Sequence, residues 1–198
     1  MPETRFSFGF TAGALLYRDS VLLSKLYLET KSWDMVREMV LADNLLQIRT
    51  VSAQKRIYSE TCTRLKTLSE PAIELIANGN RDEQCQLLWY ALCKKYDFIR
   101  DFALEVFSDK INRRDYIITI ADFNIFFSRK AELVEKLNSI SVISRKKLQT
   151  NLFKMMQSAG IVDSNQHLKL LMISPQVKRI ITADASIPLS IYPSIIGF

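Results

Sequence analysis

From about Ser52 to Ile111, apolar residues return every third or fourth position with almost no interruption, and this periodicity commits most of the chain to α-helix. Within it, EPAIELIANG starts at Pro71 and stops at Gly79, the order in which helix starts and C′ positions use these two residues. RDEQCQLLWYALCKKY then offers Leu87, Leu88, Trp89, Ala91 and Leu92 to a core, and DFIRDFALEVFSDKI offers Phe98, Phe102, Leu104, Val106 and Phe107. The short connections between these runs predict neighbouring, roughly antiparallel helices. Five Gly and five Pro in 198 residues leave little room for long linkers, so the chain is one domain or two small ones.

Upstream, a first helix is expected from Ala14 to Leu28, preceded by the uncharged FSFGFTAGALLY of residues 6–17. Glu3 precedes that stretch and Arg18 and Asp19 close it, so it reads as a buried entry into the helix rather than a signal sequence. Ser32 is placed to cap a second helix, SWDMVREMVLAD, and a third runs from about Ser52 to Leu68. Lys55, Arg56 and Lys66 fall on the outer arc of the third helix. Two helices with a short connector near residues 32–68 fit a helix-turn-helix-like element, and these three cations are candidate DNA contacts. A solvated basic face explains them equally well. Residues 112–128 are β-branched and aromatic, and periodicity alone does not separate helix from strand there.

Catalytic chemistry finds little support. There is no phosphate-binding glycine loop, nucleophile elbow or H-E-x-x-H motif, and Asp97, Asp101 and Glu105 recur as a solvated helix face would. Cys62, Cys85 and Cys93 form no C-x-x-C pair and His167 is the sole histidine, which argues against a metal, a cofactor or a disulfide framework. A reducing, cytoplasmic setting is expected. No run reaches the roughly 18–20 apolar residues a membrane span requires. ASIPLSIYPSIIGF, residues 185–198, is broken by Pro188 and Pro193 and reads as an extended apolar tail laid on a groove.

Charge singles out one region. The chain carries 27 basic and 21 acidic residues, of which seven and one lie between residues 141 and 183, leaving twenty of each elsewhere. A local cationic field of this kind is the footprint of a polyanion site. At its heart is SRKKLQTNLFKMMQSAG, expected to be a helix capped by Ser144, so that Arg145, Lys146 and Lys147 oppose the helix dipole from the first turn. At about 100° per residue, Leu148, Leu152, Met155 and Met156 share one arc. Lys146, Lys147, Thr150 and Lys154 lie across from it, with Asn151 at the margin. Beyond Gly160, two short apolar segments flank the turn Asp163-Ser164-Asn165-Gln166 as in a β-hairpin, and Pro175 opens a last helix.

Helix, turn, basic helix and hairpin is the order of a winged helix. The expected fold is therefore mostly α: a helical domain over residues 1–110, a winged-helix-like domain over 111–184, and the tail. In that arrangement Arg145, Lys146, Lys147 and Lys154 would meet phosphates, Thr150 and Asn151 would reach base edges, and His167 and Lys169 would sit in the wing near the backbone. Lysines outnumber base-reading groups, which predicts double-stranded DNA bound with weak sequence preference. A winged-helix fold used as a protein-interaction adaptor is the main rival, and RNA is less favoured because the aromatics form no exposed sheet platform.

Two motifs carry a family resemblance. TAGALLYRDS, residues 11–20, is similar to the T-A-G-G-L-L-x-R-E-S opening of the BrxA family of BREX phage-defence proteins. SRKKLQTNLFKMMQSAGIV, residues 144–162, resembles that family's R-K-K-L…L…A-G run. Element order and motif spacing agree over nearly the whole chain, with Ala14 for the second glycine, Asp19 for glutamate and Ser158 before Ala-Gly as departures. The resemblance implies a small, non-catalytic helical component, with winged-helix-like parts, of a bacterial multi-gene system that methylates host DNA and blocks phage replication. It also implies binding to double-stranded DNA and contact with other subunits of that system.

Overall fold

Side-chain caps decide where most helices begin, and the computed structural model, which describes residues 6–10 and 14–194, shows them in place. Helix α1 (Tyr17–Thr30) is followed by α2 (Trp33–Ala42), whose first turn is capped by the Ser32 hydroxyl accepting from the Met35 amide at 3.4 Å. Thr50 caps α3 (Val51–Leu65) in the same way. Pro71 sits in the first turn of α4 (Glu70–Asn78), and Asn80 and Glu83 form a reciprocal capping box for α5 (Arg81–Lys95). Thr119 and Asp122 repeat that device for α8 (Ile120–Leu133).

Between α5 and α8 a single continuous helix changes winding. It runs as α6 (Asp97–Phe102), a π-helical turn (Ala103–Phe107) and α7 (Ser108–Asn112). The wider turn lets Phe102 and Phe107, five residues apart, face the same interior with ring centroids 6.1 Å apart and edge to face. The last part of the chain comprises α9 (Glu135–Asn138), α10 (Val142–Ser158), α11 (Pro175–Asp184) and a short 3-10 turn (Leu189–Ile191).

Helix α5 is the hub. Every residue from Glu83 to Cys93 is buried, as expected of a helix packed on all sides. Its polar groups are therefore committed inward: the Gln84 amide donates to the Ile76 carbonyl at 2.7 Å, and Gln86 bonds both the Met172 carbonyl and the Ser174 amide at 3.1 Å. The C-terminal segment is fastened to the same helix. Trp89 Nε1 donates to the Ile191 carbonyl at 3.0 Å and Tyr192 Oη to the Gln86 carbonyl at 2.7 Å. The apolar tail is thus bonded to α5 at Ile191 and Tyr192 and is interrupted by a 3-10 turn, and residues 195–198 lie outside the described residues.

The N-terminal segment is clamped as well. Phe10 is buried against Tyr96 and Phe98, and Ser7 bonds Asp97 and the Lys95 carbonyl. Residues 11–13 of the TAGALLYRDS motif fall outside the described residues. The first helix starts at Tyr17 rather than Ala14, because Leu16 adopts a left-handed conformation and the Ala14 carbonyl is drawn to buried Arg64 at 2.8 Å.

Other expectations shift in the same local way. The stretch RKAELVEKLNSI, residues 129–140, is divided: its first part ends α8, and extended Val134 separates that from α9. Residues 112–128 divide into an extended piece around Ile117 and the start of α8. The region 161–169 contains no regular strand among the described residues, only isolated antiparallel bridges joining Val162 to Leu168 and Ile117 to His167. Asp97, Asp101 and Glu105 are not a merely solvated face, since Lys130 bonds Asp101 at 2.6 Å and Glu105 at 2.8 Å, and Asp97 pairs with Arg100 at 2.8 Å.

Gly79 is required by space rather than by its torsions. Its backbone is extended, yet a Cβ would stand 2.5 Å from the Leu75 carbonyl oxygen and 3.0 Å from the Glu83 carboxylate that caps α5. Gly79→Ala is expected to destabilise the fold by about 2 kcal/mol, measured by denaturant unfolding. An unchanged midpoint would mean that the α4–α5 corner relaxes freely.

Candidate nucleic-acid interface

Helix α10 begins three residues earlier than its charges suggest. The Ser141 hydroxyl accepts from the Ser144 amide at 3.2 Å, making Val142 the first helical residue. Arg145, Lys146 and Lys147 therefore start the second turn, where the helix dipole has largely decayed, and they are not set against it as the sequence implied.

The four cations of this helix have different surroundings. Arg145 turns back onto α8, donating to Asn124 Oδ1 at 3.0 Å with its guanidinium 4.4 Å from the Phe127 ring centroid. It braces α8 against α10 by hydrogen bonding and a cation–π contact. Lys146, Lys147 and Lys154 are exposed, and none has a side-chain hydrogen-bond or ion-pair partner among the described residues. Thr150, between them, is exposed and returns its hydroxyl to the Lys146 carbonyl at 2.9 Å.

Asn151 departs from expectation. It is 7% exposed, and its amide donates to the Phe10 carbonyl at 3.0 Å, so it ties the N-terminal segment to α10 and does not reach outward. The helical projection left it at the margin, and a main-chain acceptor 141 positions away draws it inside.

Beyond Gly160, whose φ of +76° favours glycine, the chain reverses around Asp163. The Asp163 carboxylate accepts from the His167 amide at 2.9 Å and the Asn165 amide at 2.8 Å. The His167 amide foremost holds the Asp163 carboxyl below the usual carboxylate range. Asp163 N–H donates back to the His167 carbonyl, and Lys169 N–H to the Ile161 carbonyl. Across the other edge, Ile118 N–H reaches the Gln166 carbonyl and Leu168 N–H the Tyr116 carbonyl. His167 and Lys169 are exposed on this projection, with His167 Nδ1 3.5 Å from Asp163.

Lys110 secures the turn before it. Burial alone disfavours its ammonium, but Asp115 at 2.7 Å and Asp122 at 3.0 Å outweigh that, so its pKa lies above the ordinary lysine value. On α3, Lys55 and Arg56 are exposed, and Lys66 lies just past the helix end. Lys55 and Lys66 border a depression of about 370 Å³ that also includes Asp34, so this face is of mixed sign.

Sequence periodicity did not single out Val142 and Ile143, which are 84% and 81% exposed on the first turn of α10. Their signal was the apolar pair itself, out of register with Leu148 and Leu152. A larger groove of about 900 Å³ lies between α4 and α11, lined by Pro71, Leu75 and Ile180 with Glu74 and Asp184 among its polar residues. Among the described residues, no helix is long and apolar enough to cross a membrane.

Comparison with known proteins bears on all of this geometry. Residues 4–185 match the BrxA family. The chain is 30% identical over 147 residues to a BREX protein BrxA of Bacillus cereus, covering 74% of this chain and 72% of that protein. It is 29% identical over 171 residues to a BREX protein BrxA of Escherichia coli, covering 85% and 80% respectively. A crystal structure of an uncharacterized protein from Magnetospirillum magneticum shares the fold with a TM-score of 0.81 at 20% identity, over 91% of this chain and 94% of that one.

Proposed function

This chain belongs to the BrxA family of the BREX anti-phage defence system, and we propose that it serves there as a non-catalytic, double-stranded DNA-binding component. The observation that carries the proposal is the row of Lys146, Lys147 and Lys154 along the outer face of α10, left without protein partners among the described residues. Lysines so placed neutralise phosphates and release counterions. Residues 111–184 are assigned a winged-helix-like arrangement, supported by the order α8, α10 and the reversal at Asp163 with its bridges to Leu168 and Ile117.

In that arrangement α10 lies in the major groove, Thr150 faces base edges, and His167 and Lys169 approach the backbone from the wing. Residues 1–110 form the helical domain, whose element at 32–68 supplies Lys55, Arg56 and Lys66 as a second, weaker backbone contact. The tail begins at residue 185, where Ile191 and Tyr192 bond α5 and the Pro193 carbonyl accepts from the Leu171 amide, and the protein acts in the cytoplasm beside other BREX subunits.

The test is a titration into labelled duplexes of unrelated sequence at several salt concentrations. Binding to every duplex and a linear fall of log affinity with log salt are expected. Absence of duplex binding would reject the proposal. One observation favours a second reading, a protein-interaction adaptor: the groove between α4 and α11 joins an apolar floor to acidic residues, which suits a protein segment and repels DNA. Salt-insensitive capture of another subunit without duplex binding would select it.

A further inference from the structure

Two large aliphatic side chains stand almost fully in water on the leading turn of α10. Val142 is 84% exposed and Ile143 81%, at the first and second helical positions after the Ser141 cap. Neither residue type favours a helix terminus, and β-branched side chains are poor helix formers, so local structure does not account for the pair. Packing does not either, since the buried side of this helix is built by Leu148, Leu152, Met155 and Met156.

Position on the helix gives the pair a context. At about 100° per residue, Val142 and Ile143 fall on the same arc of roughly 140° as Lys146, Lys147, Thr150 and Lys154. The apolar pair therefore stands at the tip of the cationic stripe, where Val142 also borders a depression of about 630 Å³ shared with Glu132, Leu133 and Ile140. An occupant of the stripe and its tip must present methyl or methylene groups between closely spaced negative charges. In the major groove, the thymine C5-methyl projects beside the phosphates in this way, and it is the one apolar group on a base edge there. The first residues of a groove-inserted helix are also the ones that meet base edges.

We propose that Val142 and Ile143 contact thymine methyl groups and give the protein a preference for thymine-containing duplex. The proposal rests on the DNA-binding function assigned above and deepens it, adding a specific, apolar term to binding carried mainly by phosphate contacts. Lys146, Lys147 and Lys154 hold the backbone, while the aliphatic pair reads which bases lie beneath. Because methyl burial is non-ionic, the preference is independent of salt even where total affinity falls steeply.

The experiment compares one mixed-sequence duplex made with thymidine against the same duplex made with deoxyuridine, which lacks only the C5-methyl. Wild type is expected to bind the thymidine duplex about fourfold more tightly for each methyl buried. A Val142→Ser/Ile143→Ser variant should bind both duplexes alike, with the salt slope of wild type. Its thermal midpoint should stay close to wild type, because both positions are exposed. Equal binding of the two duplexes by wild type, with the salt slope intact, would overturn the thymine contact and leave DNA binding standing. Persistence of the preference in the serine variant would also overturn it, since the methyl would then be read elsewhere. Failure to bind either duplex would remove the DNA-binding function as well.

Discussion

A Lys146→Ala/Lys147→Ala/Lys154→Ala variant is expected to bind every duplex more weakly and to lose about two to three units of the slope of log affinity against log salt. Each lysine engaged with a phosphate releases close to one counterion, so three contacts carry about 2.7 units, or on the order of a hundredfold in affinity at about 0.15 M salt. Folding should be untouched, because the three side chains are exposed and make no side-chain hydrogen bond or ion pair among the described residues. Arg145 is left out deliberately. Its guanidinium is occupied by Asn124 and Phe127, and removing it would loosen α10 from α8 and confuse a binding effect with a structural one. Should the triple variant keep both affinity and slope, α10 is not the DNA face, and Lys55, Arg56 and Lys66 on the α3 side become the place to look.

The largest stability effect is expected at Trp89. Its side chain is fully buried, stacks on Phe107 with centroids 6.2 Å apart, and donates from Nε1 to the Ile191 carbonyl. Trp89→Ala would open a cavity at the centre of the hub helix and strand a carbonyl of the C-terminal segment. The expected cost is about 3–5 kcal/mol, a large share of the stability of an ordinary domain. Trp89→Phe keeps much of the apolar volume and removes the donor, so its cost should be smaller, about 1–2 kcal/mol. Guanidinium unfolding measures both. If Trp89→Ala costs under about 1 kcal/mol, α5 does not organise the fold and the tail is held by its other contacts, Tyr192 with Gln86 and Pro193 with Leu171.

Fold class and the position of the charge were legible along the chain for a simple reason: both are local. A 3.6-residue period needs only neighbouring residues, so α5, α6 and α10 announce themselves through Leu87, Phe98 and Leu148 without reference to anything distant. Net charge is additive, so the excess between residues 141 and 183 survives whatever the chain does in space. Caps such as Ser32 and the punctuation at Pro71 and Gly160 were readable because they act within one turn.

The roles of individual polar residues came from contacts between distant segments, and no window along the chain contains both partners. Asn151 turned inward because the Phe10 carbonyl needed a donor, and Arg145 turned sideways because α8 set an aromatic ring and an amide beside it. His167 found its bridging partner at Ile117, across three intervening helices. A helical projection says which residues share a face; whether that face meets water, a ring or a lone carbonyl depends on how the helices pack. That is why the stripe of Lys146, Lys147, Thr150 and Lys154 was foreseeable from the helical projection, whereas the withdrawal of Arg145 and Asn151 from it, and the exposure of Val142 and Ile143 at its tip, emerged from packing.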